Sequence, residues 1–339
     1  MIRAAIIGMG SWGQNLVNSV QGKSDVIRFV AGATGTPSKV TDFAARHDIR
    51  LVESYDRILG EASVDAVVLA TPHSMHATQI IAAARAGKAV FTEKPLGLTS
   101  ESAQRAVAAC AEHGVTIAVG YNWRFQPALQ EIKRMLADGR LGKLLHVEGN
   151  FCGPSVYRFG RDHWRQQQDE GPAGGMTGRG VHIVDAMLHL AGHIESVIAQ
   201  SNRQVQDFGI DDTTSMLFRF RGGATGYLGT VIATAETWRM QVFGSRGWAE
   251  VGAVEHLTTW QLKVAFINRE DVTIKPQPQI LTFAPTSTEK AELEHFATAA
   301  AMRRPLATIG GDELHNVAVL EAILESARSG TRIGVEEYK

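Results

Sequence analysis

Cysteine is almost absent: Cys110 and Cys152 are the only two in 339 residues. Two residues so placed supply neither a metal-ligand spacing nor a disulfide framework. Cys110, inside Val107-Ala108-Ala109-Cys110-Ala111, reads as a small core residue. An excess of either charge is missing too. Lys and Arg total 34 against 35 Asp and Glu, for a formal net charge of -1, which leaves no electrostatic footprint for nucleic acid or an anionic membrane. No apolar run approaches the ~20 residues that span a bilayer. The first strand-like run starts at residue 3, so no secretory leader is expected, and the cytoplasm is the expected compartment. Internal repeats, low-complexity segments and Pro/Ser-rich linkers are lacking. The expected ligand is a small molecule.

What is present is ordinary globular material, 44% apolar and 20% charged, in a chain long enough that two domains are expected. The first third alternates strand and helix. Apolar runs at 4–7, 26–31, 66–69, 89–91 and 116–119 are separated by helical patterns, notably 74–86 and 100–113, which Gly87 and Gly114 close. Continuous apolar strands alternating with helices predict a parallel, doubly wound α/β sheet of Rossmann type. After about residue 121 the texture changes. Strand candidates follow at 144–151, 196–206, 213–220, 224–233, 239–243 and 248–251, with hairpin-like turns at Arg221-Gly222-Gly223 and Gly244-Ser245-Arg246-Gly247. Helices are expected at 181–190, 290–302 and 313–329. The expectation is a dinucleotide-binding domain at 1–121 and an α+β domain at 122–339, the latter a mostly antiparallel open sheet with helices on one face. Residues 216–220 place apolar side chains on both faces of their strand. A homodimer or homotetramer joined through this sheet is therefore expected.

Two motifs carry chemistry. Gly8-Met9-Gly10-Ser11-Trp12-Gly13 follows the strand-like Ala4-Ala5-Ile6-Ile7. Gly8 permits the tight turn, Gly10 lets backbone approach a pyrophosphate, and Gly13 lets helix and strand pack closely. Ser11 and Trp12 lie at the helix start, where free N–H groups and the helix dipole favour phosphate. At the end of the second strand, where an acid would bind the ribose hydroxyls and mark NAD, the chain reads Ala31-Gly32-Ala33-Thr34-Gly35-Thr36-Pro37-Ser38-Lys39 without a carboxylate. NAD and NADP both remain open, with NADP favoured, Thr34 and its hydroxyl-bearing neighbours standing where a 2′-phosphate would go. The second motif, Glu93-Lys94-Pro95, ends the apolar run 89–92 on the same sheet edge.

The chain resembles the glucose-fructose oxidoreductase / inositol dehydrogenase / rhizopine-catabolism family. The likeness rests on Thr71-Pro72-His73-Ser74-Met75-His76, on Glu93-Lys94-Pro95, on Gly120-Tyr121-Asn122-Trp123-Arg124-Phe125, and on Gly174-Gly175 ahead of Gly180-Val181-His182-Ile183-Val184-Asp185. It implies an NAD(P)-dependent oxidoreductase acting on the secondary alcohol of a sugar, cyclitol or related diol. It also implies a cis Lys94–Pro95 bond, a Lys94 that handles the hydroxyl proton, and a cofactor touched by Thr71, Pro72, His76, Glu93 and Asn122. A lysine beside a cationic nicotinamide has its charged form disfavoured and can pass a proton near neutral pH. His182 is the second proton-handling candidate, since imidazole titrates in that range. His182, Asp185 and His189 share a helix face, but no metal site is expected from that spacing alone.

One departure alters the expected site. Many polyol-oxidising members carry an aspartate four residues before the histidine, and Gly178 stands there. Asp185 is the remaining acid able to orient His182 and is taken as catalytic with it. Arg124, Trp164, Arg165 and Arg179 are expected at the substrate, since an arginine fork suits a carboxylate. The departure also opens a dihydrodiol dehydrogenase acting on an aromatic-derived or carboxylated ring diol. Lyase or hydrolase chemistry through transient oxidation, and a non-catalytic dinucleotide-binding regulator, are further alternatives.

Overall fold

A computed structural model describes residues 1–303 and 312–337. The described residues form two compact units, one of residues 1–122 with 287–303 and 312–317, the other of residues 123–286 with 318–337. In the first, six parallel strands take the order β3-β2-β1-β4-β5-β6. These are β1 (Ile2–Ile7), β2 (Ile27–Ala33), β3 (Arg50–Leu51), β4 (Ala66–Leu69), β5 (Ala89–Thr92) and β6 (Ile117–Val119). Helices α1 (Ser11–Val20), α2 (Thr41–Arg46), α3 (Tyr55–Leu59), α4 (His76–Arg85) and α5 (Ser100–Glu112) alternate with them. The strand order reverses direction between β1 and β4, and in open α/β sheets a ligand binds at that switch, beyond the carboxyl ends of the strands. β4 is buried at every residue, as befits a strand covered on both faces. α5 starts at a capping box between Thr99 and Ser102 and stops before Gly114, whose φ of 61° no β-branched residue would hold easily.

The second unit contains α6 (Pro127–Ala137), β7 (Leu144–Cys152), α7 (Ser155–Arg158), α8 (Val181–Ala191), β8 (Ile194–Asn202), β9 (Thr213–Phe220), β10 (Thr225–Val231), β11 (Thr237–Gly244), β12 (Gly247–Ala253), β13 (Gln261–Phe266) and β14 (Gln279–Thr282). After α9 (Thr288–Ala301) and α10 (Glu313–Ser329), β15 (Ile333–Gly334) completes a nine-stranded sheet in the order β14-β13-β12-β11-β7-β10-β9-β8-β15. Only β7 and β10 run parallel as neighbours. α8 packs on β7 and α6. Along β9, Thr214, Met216, Phe218 and Phe220 are buried while Leu217 is 57% exposed, the alternation of a sheet covered on one face.

Three differences from the sequence expectations have physical causes. A single boundary after residue 121 leaves out the return of α9 to the first unit. Leu293, Phe296 and Ala297 are fully buried in one core with Ala4, Ile6 and Phe91. The Phe296 ring meets Phe91 edge-on at 5.8 Å between centroids, and burying such a side chain contributes about 1.5–3 kcal/mol. Second, the strand expected over 196–206 stops at Asn202, because Asp212 accepts from the backbone N–H groups of Gln204 (2.7 Å) and Val205 (2.8 Å) and turns the chain. Third, β3, β13, β14 and β15 were not anticipated; β14 is exposed at three of four positions, so it carries no burial alternation to read. Among the described residues no helix is long and apolar enough to cross a membrane.

Candidate active site

The glycine loop joins β1 to α1. Gly8 has φ 89°, and a Cβ there would lie 2.4 Å from the Ala70 carbonyl oxygen; one on Gly13 would lie 2.0 Å from the Gly8 carbonyl oxygen. Both glycines are therefore required by the packing of strand against helix. A Cβ on Gly10 would meet nothing within 4 Å, so its side faces space that a ligand can fill. α1 has no side-chain cap and no acidic residue in its first turn. Its first N–H groups are thus available to an anion.

The other carboxyl-edge turns of this sheet carry most of the remaining expected cofactor residues. After β2, half-buried Thr34 leads into exposed Thr36, Ser38 and Lys39, with no acid before Asp42. After β4, Thr71 donates its hydroxyl to Gln79 (2.6 Å). His76 is fully buried, with Nδ1 2.7 Å from the Pro95 carbonyl and Nε2 3.1 Å from the Thr71 carbonyl. It therefore braces the turn after β4 against the turn that carries Lys94. After β5, Glu93 is buried and half-buried Lys94 precedes a cis peptide bond to Pro95. Burial pushes the Glu93 carboxyl up, and the nearby Glu289 adds to this; the Lys94 charge and a hydrogen bond from Trp12 act the other way. After β6, Asn122 is fully buried. Its Nδ2 donates to Thr288 (3.0 Å), whereas its Oδ1 has no partner. An unpaired buried acceptor costs about 1–3 kcal/mol, and a ligand amide or hydroxyl would relieve it. The open side of Gly10 and the orphaned Asn122 oxygen both fit a dinucleotide.

Thr288 and Glu289 escaped the sequence reading. Ser287 caps α9 by accepting from the Lys290 N–H, and the only signal for this pair was that helix-start pattern. No local rule says that this helix returns to the first sheet.

In the second unit, His182 opens α8 and is 5% exposed. Its ring stacks on Trp123 (centroids 5.3 Å, planes 21° apart). Phe151 and His256 join the same aromatic group, with the Trp123 indole donating to His256 Nδ1 at 3.2 Å. His256 was not singled out from sequence, since it sits alone after β12. Three of the expected site residues, Asp185, Arg124 and Arg179, have partners within this unit. Asp185 is engaged by Arg124, which donates from Nε and Nη2 at 2.7–3.1 Å, and both side chains are 1% exposed. Arg124 is thus committed to a buried ion pair, where a substrate carboxylate cannot compete for its fork. Arg179 donates to Glu236 (2.6 Å), the Cys152 carbonyl (2.9 Å) and Ser155 (3.2 Å), and lies over the Phe151 ring at 4.7 Å. Its donors are spent on the fold. Exposed Arg165 stacks over Trp164 at 4.1 Å. His189, on the His182 face of α8, has Nδ1 3.1 Å from the Lys133 ammonium nitrogen. Gly178 lies in a π-helical turn (Met176–Gly180) ahead of α8, and a Cβ on it would meet nothing within 4 Å.

A doubly wound unit with this glycine loop, followed by an antiparallel-sheet unit, defines the class of two-domain NAD(P)-binding oxidoreductases. Residues 2–121 match the oxidoreductase family with an NAD-binding Rossmann fold, and residues 129–250 match the GFO/IDH/MocA C-terminal domain. The chain belongs to the GFO/IDH/MocA oxidoreductase family. It is 26% identical over 341 residues to inositol 2-dehydrogenase of Rhizobium meliloti (strain 1021), covering 98% of this chain and 99% of the relative. It is 28% identical over 226 residues to trans-1,2-dihydrobenzene-1,2-diol dehydrogenase of Sus scrofa, covering 66% of this chain and 65% of that protein's length. Among solved structures it resembles aldose-aldose oxidoreductase from Caulobacter crescentus complexed with glycerol, with TM-score 0.85, 26% identity, and 98% and 99% of the two chains covered.

Proposed function

We propose that the protein is an NAD(P)-dependent dehydrogenase that interconverts a secondary alcohol and a ketone on a sugar, cyclitol or related diol. The observation that carries this reading is Lys94, held half-buried in the turn after β5, on the same sheet edge as the glycine loop. The backbone of Gly8 to Gly13 and the start of α1 hold the pyrophosphate, and Asn122 offers its free oxygen to the cofactor. When bound, the nicotinamide accepts or returns the hydride. Lys94, in its amine form, takes the substrate hydroxyl proton during oxidation and gives it back during reduction. His182 is the second proton-handling group, and its ring orientation is fixed by stacking on Trp123. NADP is the favoured cofactor because the end of β2 lacks the acid that grips ribose hydroxyls.

A ring diol of aromatic origin is the second reading. It is favoured by the aromatic group around His182 and the open space at Gly178, where the polyol-type aspartate is missing, and by the likeness to a dihydrodiol dehydrogenase. Both cysteines are buried free thiols, and burial pushes Cys110 up to about 12. Such inert thiols suit a reducing cytoplasm. A second copy of the chain covers the outer face of the large sheet, where Ile198, Leu217 and Tyr227 stand side by side across β8, β9 and β10.

The test is titration with NADPH and NADH, followed by turnover on inositols, aldoses and dihydrodiols. Lys94→Met is expected to lower turnover roughly a hundredfold or more with cofactor affinity retained. Near-normal turnover in that variant would defeat the mechanism. Tight cofactor binding with no turnover on any of these substrates would favour a regulator instead.

A further inference from the structure

Trp12 belongs to the glycine loop by sequence, but its side chain serves the lysine turn. The indole N–H donates to Glu93 Oε1 at 2.5 Å, across 81 residues of sequence. Glu93 is 6% exposed and directly precedes Lys94. A Cβ on Gly120 would fall 2.9 Å from the same Oε1, so the backbone after β6 closes over the carboxyl. One helical turn beyond Trp12, Asn15 donates to Glu289 of α9 at 2.9 Å. Glu289 is also 6% exposed and accepts from Thr288 at 3.1 Å. Trp12 and Asn15, at i and i+3, lie on one face of α1, and each holds one buried carboxyl.

We propose that α1 uses Trp12 and Asn15 as a bracket that fixes the place and charge of Glu93, and through Glu93 sets the proton affinity of Lys94. Trp12 is a positioning residue in this scheme. The inference rests on the reading of Lys94 as the proton-handling group. Among the described residues the charged groups acting on Glu93 are Lys94 on its own turn and Glu289 on α9; α1 adds the Trp12 indole. A hydrogen bond from the indole stabilises the carboxylate form against burial. Without it the carboxyl holds its proton to higher pH, the negative charge beside Lys94 weakens, and the ammonium gives up its own proton more readily.

The test reads the lysine itself and needs no substrate. Reductive methylation of the whole protein with carbon-13 formaldehyde places a reporter on each lysine, and the Lys94 signal is the one missing from Lys94→Arg. Its titration midpoint is compared in the wild type, Trp12→Phe and Glu93→Gln. The midpoint is expected at lower pH in both variants, and in the double variant no lower than in Glu93→Gln alone, because the indole acts only through the carboxylate charge. An unchanged midpoint in Glu93→Gln overturns the proposal. A shift in Glu93→Gln with none in Trp12→Phe overturns the part played by Trp12. If Trp12→Phe does not fold, Glu93→Gln with Asn15→Leu decides: a midpoint in Asn15→Leu equal to that of the wild type refutes the bracket. These outcomes are independent of turnover in Lys94→Met, which tests the functional reading.

Discussion

Asp185, one turn beyond His182 on α8, has both carboxylate oxygens bound by the Arg124 guanidinium in a fully buried pair. The relationship changes what these residues are for. A carboxylate so occupied and desolvated holds the start of α8 to the segment after Asn122, and thereby the helix that carries His182.

Removing one partner strands the other's charge in the core. Arg124→Met is expected to cost about 3–5 kcal/mol, and Arg124→Met with Asp185→Leu to recover a substantial part of it. Urea unfolding at neutral pH measures both. A single variant as stable as the wild type would show that the pair does not hold the unit together.

The glycine loop separates binding from folding. Gly10 has φ -68° and ψ -173°, which any residue adopts, and open space at its side. Gly10→Val is expected to melt close to the wild type while losing about a hundredfold or more in dinucleotide affinity. Gly13→Val drives a side chain into the Gly8 carbonyl, and is expected to cost more than about 3 kcal/mol of stability. Calorimetry paired with NADPH fluorescence distinguishes the two; retained affinity in a folded Gly10→Val would remove the loop from the cofactor site.

Glu93 makes stability pH-dependent in a direction opposite to the usual surface carboxylate. Its folded pKa is raised, with burial the leading cause, so the native state holds more protons than the unfolded chain. Stability is full below about pH 4, the unfolded range, and falls as pH rises through the folded value. Glu93→Gln removes this loss. The variant is expected to melt above the wild type at pH 8 and level with it near pH 4. A wild-type melting curve that tracks the variant at every pH would contradict the assignment.

The outer face of the large sheet offers a separate test. Leu217 is 57% exposed and faces Ile198 on one side and Tyr227 on the other. Leu217→Glu is expected to convert a dimer or tetramer into monomers at micromolar concentration, read by light scattering, because a charge at such a centre must be desolvated on association. A wild-type protein already monomeric there would end the idea.

Much of the site was legible along the chain because it is built from strand ends. Gly8, Gly10 and Gly13 announce a backbone geometry that few other residues permit, and Glu93-Lys94-Pro95 stands at the end of an apolar run. The fold partners of Arg124, Asp185 and Arg179 were not legible in the sequence for a common reason. An isolated charge in sequence looks available for ligand, and only a neighbour distant in the chain, Asp185 for Arg124 and Glu236 for Arg179, shows that it is spent.

Local composition and period thus determined by themselves that this protein has a parallel sheet with a dinucleotide loop and then an antiparallel sheet, since turns, caps and alternation are properties of neighbouring residues. Tertiary structure alone decided that α9 returns to the first unit, that Thr288 and Glu289 stand beside Asn122 and α1, and that the Trp12 indole reaches Glu93. Those contacts join residues from 81 to 274 positions apart. Their energies come from burial and desolvation in a shared core, which no window along the chain can register.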